Sequence, residues 1–166
     1  MAAGEQDRRG PPALVRALTR ILSSKPGSWY FLHVANPIDK VLVPLTRGWL
    51  SLAPGQPVLV LEHVGAKSGQ RRRTPLLYHA DGDDLVVIAS AGGAALHPAW
   101  LHNLRAHPRV KLFLRGGTGV YVARETEGED RERLWRQATA VYGGYDTYKD
   151  RAADRQIPVV RLSPAV

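Results

Sequence analysis

Short runs of apolar residues, separated by turn-forming residues, dominate the chain from residue 57 onward. Runs of about four to eight residues rich in valine, leucine and isoleucine are typical of β-strands. The pattern predicts strands over residues 58–64, 73–80, 84–90, 110–114, 118–124 and 157–162. Asp81-Gly82-Asp83 and Gly116-Gly117 stand between consecutive runs, and glycine turns of this kind predict hairpins.

Apolar residues recur at helical spacing in four other segments. The pattern predicts helices over residues 12–24, 97–107, 129–142 and 145–153. The first is amphipathic and carries basic residues around its apolar face. Residues 36–52 are interrupted by Pro37, Pro44 and Gly48, and we predict that they do not form one regular element.

Many short, mostly antiparallel strands with a few helices predict a mainly β fold of the α+β type. We expect a small β-barrel with helices packed outside and an amphipathic helix near the N-terminus. At 166 residues the chain has the length of one domain. We therefore predict a disordered N-terminus over residues 1–11 and a single domain over residues 12–166.

Composition narrows the partners of this domain. The chain has no cysteine, no apolar run long enough to span a membrane, and a polar start without the apolar core of a signal peptide. We therefore expect a cytoplasmic protein. The formal charge of +8 favours an acidic partner such as nucleic acid, an anionic membrane surface or a polyanionic cofactor.

The basic amphipathic helix at residues 12–24 leaves two arrangements open. It either packs on its own domain or lies on the inner face of the cell membrane, with its basic residues toward anionic lipid. A peripheral membrane contact is therefore one of the expectations.

The turn between the first two strands concentrates cations and hydroxyl groups. Gly65 and Gly69 allow backbone N–H groups to point toward an anion, and Ser68 and Thr74 add hydroxyl donors. The positive charges come from Lys67, Arg71, Arg72 and Arg73. The turn is either an anion-binding cradle or a solvated basic hairpin turn. It matches neither a Walker A loop nor the Gly-x-Gly-x-x-Gly motif.

A second set of residues would form the opposite wall of a cleft. Ser90-Ala91-Gly92-Gly93 offers a hydroxyl and close backbone approach, and His97-Pro98-Ala99-Trp100 begins a helix whose N–H groups favour anions. Tyr142, Tyr145 and Tyr148 are spaced by three, which places their rings on one side of a helix.

Standard catalytic and metal-binding patterns are missing. The six histidines do not form His-Glu-x-x-His, and with no cysteine present we expect no metal site. Ser68 and Ser90 lie outside any Gly-x-Ser-x-Gly motif, which disfavours a hydrolase. The remaining groups suit the binding of a large planar anion.

Several motifs together resemble one family over residues 58–164. They are Gly65-Ala-Lys-Ser-Gly-Gln-x-Arg72-x-Thr-Pro-Leu76, Ala89-Ser-x-Gly-Gly93, His97-Pro-Ala-Trp-x-x-Asn103-Leu-x-x-x-Pro108, Tyr142-x-x-Tyr145-x-x-Tyr148 and Arg155-x-Ile-Pro158. In these motifs the chain is similar to the deazaflavin-dependent nitroreductases of actinobacteria, part of the split β-barrel superfamily of flavin and deazaflavin oxidoreductases.

This resemblance implies reduced coenzyme F420, a deazaflavin with a phosphate and an oligoglutamate tail, as the reductant. The cofactor-binding residues it implies are Ala66, Lys67, Ser68, Arg72, Arg73, Thr74, Pro75, Leu76, Leu77, Ile88, Ala89, Ser90, Ala91, Ala99, Trp100, Leu101, His102, Asn103 and Tyr145. It also implies that Ser90, Tyr142, Tyr145 and Tyr148 border the acceptor pocket and supply a hydrogen-bond donor.

The acceptor and two rival functions stay open at this point. Some family members carry tyrosine where Leu77 stands and lysine where Ala91 stands, so a quinone, a nitroaromatic or a similar electrophile are all candidates. The same barrel would also suit FMN or FAD, or a non-catalytic fatty-acid or haem carrier at a membrane. Nucleic-acid binding is disfavoured because no recognised module appears. The oligomeric state is not specified by the sequence.

Overall fold

A computed structural model of the chain describes residues 36–46, 56–152 and 155–165. Its helices are α1 (Asn36–Leu45), α2 (Ala99–Ala106), α3 (Gly128–Val141) and α4 (Gly144–Arg151), with one 3-10 turn at Ala91–Gly93. Its strands are β1 (Val58–Val64), β2 (Arg71–Asp81), β3 (Asp84–Ile88), β4 (Arg109–Leu114), β5 (Gly117–Glu125) and β6 (Val159–Pro164). The predicted helix at residues 12–24 and the predicted disorder at residues 1–11 lie outside the described residues.

The six strands close into a barrel in the order β1-β2-β3-β6-β5-β4, and each neighbouring pair is antiparallel. Closure comes from the pairing of β1 with β4, for example Leu61 opposite Leu112. Because every strand then has two neighbours, the described sheet has no open edge. The mainly β barrel predicted from the short apolar runs and their turns is confirmed.

The barrel interior is filled by large aliphatic side chains. Leu59 and Leu61 of β1 are fully buried there, together with side chains of the other strands. Helix α2 lies across one end of the barrel and inserts Trp100, Leu101 and Leu104 into the same cluster. Residues two apart on a strand face the same side. The interior-facing series of β1 therefore contains Leu59, Leu61 and every second residue after them to the end of the strand.

The outer face of the barrel is covered by helices, as expected. Helices α3 and α4 pack on β3 and β6 through a second apolar cluster that includes Leu134, Trp135 and Val86. Helix α1 packs on the outer side of β1, where Val43 contacts Val58. Of the helices in the described ranges, none combines the length and apolar character that crossing a bilayer requires.

Several predicted elements differ from the structure at their ends; β6, for example, runs over Val159–Pro164 instead of over residues 157–162. Strand β2 begins at Arg71 because its exposed arginines still pair with the backbone of β1, from Arg71 opposite Val64 onward. Strand β3 ends at Ile88, short of the predicted residue 90, and Ser90 begins the 3-10 turn. The ends of these strands are set by hydrogen bonds between backbone groups. The polarity of the side chains, on which the prediction was based, therefore did not indicate them.

The sequence analysis predicted that residues 36–52 do not form one regular element, and helix α1 covers only their first part, Asn36–Leu45. The helix itself was not predicted. Pro37 stands in the first helical turn, where its missing N–H needs no partner. Pro44 lies in the last turn, so only the final part of the helix loses a hydrogen bond. Burial of Val43 against the barrel stabilises the helix.

Candidate functional site

A cleft of about 930 Å³ opens at one end of the barrel, between the β1–β2 turn and helix α2. Its lining residues are Lys40, His63, Gly65, Ala66, Lys67, Ser68, Arg72, Arg73, Thr74, Ala99, Trp100, His102 and Asn103. The volume is in the range that cofactor and small-ligand sites occupy.

The position of the cleft follows from the strand pattern. The interior-facing series on β1 is apolar at Leu59 and Leu61 and becomes polar at His63. On β2 the same change occurs from Leu76, which packs on the core, to Thr74 and Arg72 at the barrel end. At this end of the barrel, the interior-facing side chains of β1 and β2 are therefore polar, and they form a polar opening above the apolar core.

The turn between β1 and β2 is held in shape by its own backbone. The Gly65 N–H donates to the Gln70 carbonyl at 2.8 Å, and the Gly69 N–H donates to the Gly65 carbonyl at 2.8 Å. A Cβ on Gly65 would lie 2.5 Å from Ser68 Oγ, so a larger residue there would displace the Ser68 hydroxyl from its present position. Within the described residues, the N–H groups of Lys67 and Ser68 have no hydrogen-bond acceptor and are available to a ligand.

The charge of the cleft is positive. Lys40, Lys67, Arg72 and Arg73 line it, and no carboxylate is among its described lining residues. Glu62 lies beside the cleft and accepts a hydrogen bond from Arg73 at 2.9 Å. The charge of Arg73 is therefore largely paired, while Lys67 and Arg72 are left to attract an anion.

Three hydrogen bonds connect the cradle turn to helix α2 and both strands. Asn103 Oδ1 accepts from the Ala66 N–H at 2.8 Å, and Asn103 Nδ2 lies 3.0 Å from His63 Nδ1. His63 Nε2 lies 3.1 Å from Thr74 Oγ1. Burial, with the nearby charges of Arg72 and Lys40, lowers the pKa of His63, so the ring is neutral near pH 7.

The structure brings many of the predicted cofactor residues together at this cleft. They are Ala66, Lys67, Ser68, Arg72, Arg73, Thr74, Ala99, Trp100, His102 and Asn103. Gly65 of the predicted cradle also lines it, and so do Lys40 and His63, to which the sequence analysis gave no place in the site. His63 had a usable signal, because it continues the interior-facing series of β1.

The other predicted cofactor residues lie away from the lining of the cleft. Ala89 and Leu101 are 0% exposed in the barrel core, so their side chains offer no contact surface. Ile88 and Leu77 belong to the outer cluster under α3 and α4. Pro75, Leu76, Ser90, Ala91 and Tyr145 are also outside the described lining. A ligand contact by any of these residues stays a prediction.

The three tyrosines form one buried cluster, although they do not share one helix: Tyr142 is the C-cap residue of α3, and Tyr145 and Tyr148 lie on α4. Their ring centroids are 5.2 to 6.3 Å apart, and the hydroxyls of Tyr142 and Tyr148 lie 3.1 Å from each other. Burial, with the neighbouring phenol of Tyr148, raises the pKa of Tyr142, and burial likewise raises that of Tyr145. Tyr142 and Tyr145 are therefore protonated at neutral pH and suit hydrogen-bond donation rather than base catalysis.

The turn after β3 packs directly on helix α4. A Cβ on Gly93 would lie 2.7 Å from Arg151 Cβ, so glycine permits this contact. Ser90 is buried and precedes this turn. The predicted acceptor-side residues, Ser90 and the tyrosines, are therefore neighbours on the α4 side of the barrel.

Arg155 holds this turn in place, a role that sequence reasoning did not assign. Its guanidinium donates to the carbonyls of Ser90 at 2.9 Å, Ala94 at 3.0 Å and Ala89 at 3.3 Å, and one nitrogen lies 3.0 Å from His97 Nδ1. Burial and the Arg155 charge lower the pKa of His97, consistent with a neutral ring that accepts this bond.

We expect Arg155→Met to lower kcat/KM by about tenfold, because it leaves several backbone carbonyls of the Ser90 turn without a donor. Arg155→Lys keeps the charge but not the forked geometry, so it should restore only part of the activity. Steady-state kinetics of both variants, with Arg136→Met on the exposed face of α3 as the control, test this. If Arg155→Met is as active as the control, Arg155 is not needed to hold the Ser90 turn for activity.

Metal binding finds no support in the described ranges, where no three His, Asp or Glu side chains are grouped to hold an ion. The site consists of cations, hydroxyls, backbone N–H groups and aromatic surface beside an antiparallel barrel. These features suit a large anion with a planar part.

Comparison with known proteins gives the family. The family model for F420H(2)-dependent quinone reductase matches residues 45–164. An F420H(2)-dependent quinone reductase of Mycobacterium tuberculosis is 37% identical over 114 residues, which cover 66% of this chain and 76% of that protein.

Two solved structures have the same fold. That of an F420-H2 dependent reductase is 35% identical with a TM-score of 0.60 and covers 64% of this chain and 94% of that one. Another, described as a domain-swapped dimer, is 31% identical with a TM-score of 0.62 and covers 84% of this chain and all, 100%, of that one.

The barrel and its cleft are therefore those of a split-barrel deazaflavin oxidoreductase. The chain belongs to the F420H(2)-dependent quinone reductase family. It is an oxidoreductase, and its reductant is reduced coenzyme F420. The resemblance found in the sequence motifs is confirmed.

Proposed function

We propose that the chain binds reduced F420 in the cleft, with the phosphate and tail on the β1–β2 turn, and transfers a hydride to a quinone. The observation that carries this proposal is the described lining of the cleft, which contains Lys67 and Arg72 but no carboxylate. Beside them are two backbone N–H groups that have no acceptor among the described residues. Such a set is complementary to a phosphate.

The cleft fits the anionic part of the cofactor. Coenzyme F420 carries a phosphate and several tail carboxylates, and Lys40 and Lys67 approach the cleft from α1 and from the turn. Lys40 and Lys67 are separate cations, and Arg72 adds a third positive charge on β2 beside the turn. Together they can hold more than one anionic group. The charge of +8 on the whole chain also favours the approach of this cofactor.

The ring part would lie toward helix α2. Ala99 and Trp100 give this wall an apolar surface, and Thr74 offers a hydroxyl opposite. When bound, F420H2 supplies the hydride. The residues of this chain orient the ring, keep water away from it and place a hydrogen-bond donor near the acceptor.

A quinone is the acceptor that we propose, because the matching family and the M. tuberculosis relative are named quinone reductases. Ser90 is the donor that we assign to the developing oxyanion, with the phenol rings of Tyr142, Tyr145 and Tyr148 as the wall behind it. Leu77 and Ala91 replace the tyrosine and lysine of some family members, so reduction of nitroimidazoles should be weaker than that of quinones.

Stopped-flow oxidation of F420H2 against quinones, nitroimidazoles and unsaturated lipids tests this function. We expect single-turnover oxidation to be fastest with a quinone. Parallel fluorescence titrations with F420, FMN and FAD separate the flavin rival, and lipid or haem extracted from purified protein would support the carrier rival. Tighter binding of a flavin, or no oxidation by any quinone, would contradict the proposal.

Ser90→Ala should lower kcat for quinone reduction by about tenfold and leave the Kd of F420 unchanged. Hydride transfer between aligned rings depends mainly on geometry, so loss of one donor slows turnover without abolishing it. Thr118→Ala on an exposed position of β5 is the matched control. Complete loss of activity with intact cofactor binding would give Ser90 a stricter role than this.

Two further proposals concern the chain outside the cleft. We propose that residues 12–166 form one domain, and that residues 12–24 contact a membrane surface through their apolar and basic faces. Co-sedimentation with vesicles of anionic and of neutral lipid tests the contact. Equal recovery in the supernatant with both would contradict it.

A further inference from the structure

A chain of hydrogen bonds ends at a hydroxyl that faces the cleft, and the direction of each bond can be worked out. It begins at the Ala66 N–H and passes through Asn103 and His63 to Thr74, over distances of 2.8, 3.0 and 3.1 Å. His63 and Asn103 are both buried, so their groups have little access to bulk water.

The first two bonds have only one possible direction. A backbone N–H can only donate, so the Asn103 atom that it meets is the acceptor oxygen. The other end of the same amide is then its NH₂ group, which can only donate. His63 Nδ1, 3.0 Å away, must therefore accept and carries no hydrogen.

The third bond follows from the first two. A neutral imidazole with an unprotonated Nδ1 carries its hydrogen on Nε2. His63 Nε2 therefore donates to Thr74 Oγ1, 3.1 Å away. Thr74 uses an oxygen lone pair in this bond, so its own O–H hydrogen is left to donate elsewhere.

The free direction of that hydroxyl is the cleft. Thr74 is one of the lining residues, and within the described residues its side chain has no hydrogen-bond partner other than His63. Two cations, Arg72 on β2 and Lys40 on α1, also act on the His63 ring. They disfavour the protonated, imidazolium form of His63. That form would carry a hydrogen on Nδ1, which would face the hydrogens of the Asn103 NH₂ group.

We propose that His63 is a positioning residue that makes Thr74 an obligatory hydrogen-bond donor to an oxygen of the bound cofactor, with Asn103 fixing the His63 tautomer. The inference rests on the proposed function, because it takes the occupant of the cleft to be F420. The oxygen recognised is a carbonyl or anionic oxygen, since a ligand N–H at this point would meet the Thr74 hydrogen.

The same chain couples this donor to the phosphate cradle. Asn103 holds the Ala66 N–H, which lies directly before Lys67 in the turn. The cradle and the Thr74 hydroxyl therefore keep a fixed separation, set by β1, β2 and α2. A cofactor held at both points is located along the length of the cleft and not only at its charged end.

The tautomer can be measured in the ligand-free protein. In ¹⁵N NMR of histidine-labelled protein, protonated and unprotonated ring nitrogens resonate far apart, and His63→Gln assigns the signal. We expect the Nε2–H tautomer of His63 at neutral pH. A His63 ring protonated on Nδ1, or on both nitrogens, would overturn the proposal whether or not F420 binds.

The role of the hydroxyl is measured by fluorescence titration with F420. Thr74→Val should raise the Kd by about tenfold, the loss of one hydrogen bond to a polar or charged group. Thr74→Ser keeps the hydroxyl and should bind nearly as well as the unsubstituted protein. Equal losses in Thr74→Val and Thr74→Ser would assign the effect to packing and overturn the proposal.

A double-mutant cycle tests whether His63 acts through Thr74. His63→Leu should weaken F420 binding by a few-fold and should add nothing in the Thr74→Val background. A loss that persists in that background would overturn the positioning role. If the unsubstituted protein fails to bind F420, the proposed function falls, while the tautomer measurement still decides the hydrogen-bond chain.

Discussion

The double variant Lys67→Glu/Arg72→Glu is expected to raise the Kd of F420 by about a hundredfold or more. Each residue can give a charge-assisted hydrogen bond to the cofactor phosphate or tail, and losing one costs about tenfold in affinity. Reversal of charge adds repulsion to that loss. The cleft contains no other described arginine with an unpaired charge, because Arg73 is paired with Glu62 at 2.9 Å.

Fluorescence titration at several salt concentrations measures this effect. The paired substitution Arg109→Glu/Arg136→Glu is the control, since it makes the same change of charge at exposed positions of β4 and α3 and reports the effect of net charge alone. We expect the control to bind F420 within a few-fold of the unsubstituted protein, and the double variant to lose most of the salt dependence. Equal affinity of the double variant and the control would place the anion site elsewhere.

The variant Arg161→Leu is expected to lower the free energy of unfolding by about 3 kcal/mol, the loss typical when one partner of a buried ionic group is removed. The Arg161 side chain is 12% exposed and lies between three carboxylates. It donates to Asp81 at 2.9 Å, to Asp84 at 2.8 Å and to both oxygens of Asp130 at 3.0 Å. Its removal leaves three carboxylates with Arg133, which donates to Asp81 and Asp130, as the cation beside them.

The effect should depend on pH in a defined direction. Hydrogen bonds from Arg133 and Arg161 hold the pKa of Asp81 well below its usual range. The folded state therefore keeps this carboxylate ionised where the unfolded chain takes up a proton. Its contribution is fully present above about pH 4 and is lost as the pH falls toward the folded-state pKa.

Urea unfolding at pH 7 and at pH 3 measures both parts of this prediction, with Arg109→Leu on an exposed position of β4 as the control. We expect the difference between Arg161→Leu and the control to be large at pH 7 and smaller at pH 3. A constant difference at the two pH values would mean that Arg161 acts through packing and not through its carboxylate partners.

The strands could be predicted because short apolar runs and the glycine turns between them are local properties of the chain. Val58–Val64 was predicted at its observed bounds, and the β4–β5 hairpin was placed correctly within a residue or two. Closure of the barrel depends on pairs far apart in sequence, such as β1 with β4. No local pattern specifies such a pair, and only the overall strand arrangement indicated a barrel.

The cradle turn could likewise be predicted, because its cations, hydroxyls and glycines are adjacent in sequence. Lys40 was missed because it lies on helix α1, which was not predicted. Pro37 and Pro44 argued against a helix, but both stand at positions where a helix tolerates proline. His63 was considered only as a metal ligand, since its partners Asn103 and Thr74 become neighbours through folding alone. Residues joined by tertiary contacts are the part of the site that one sequence does not display.

The most direct test of the account is a crystal structure of this protein with F420. We expect the cofactor phosphate within hydrogen-bond distance of Lys67 and Arg72, and a cofactor oxygen at Thr74 Oγ1. Cofactor density confined to another surface, with the cleft at the barrel end filled only by solvent, would contradict the account.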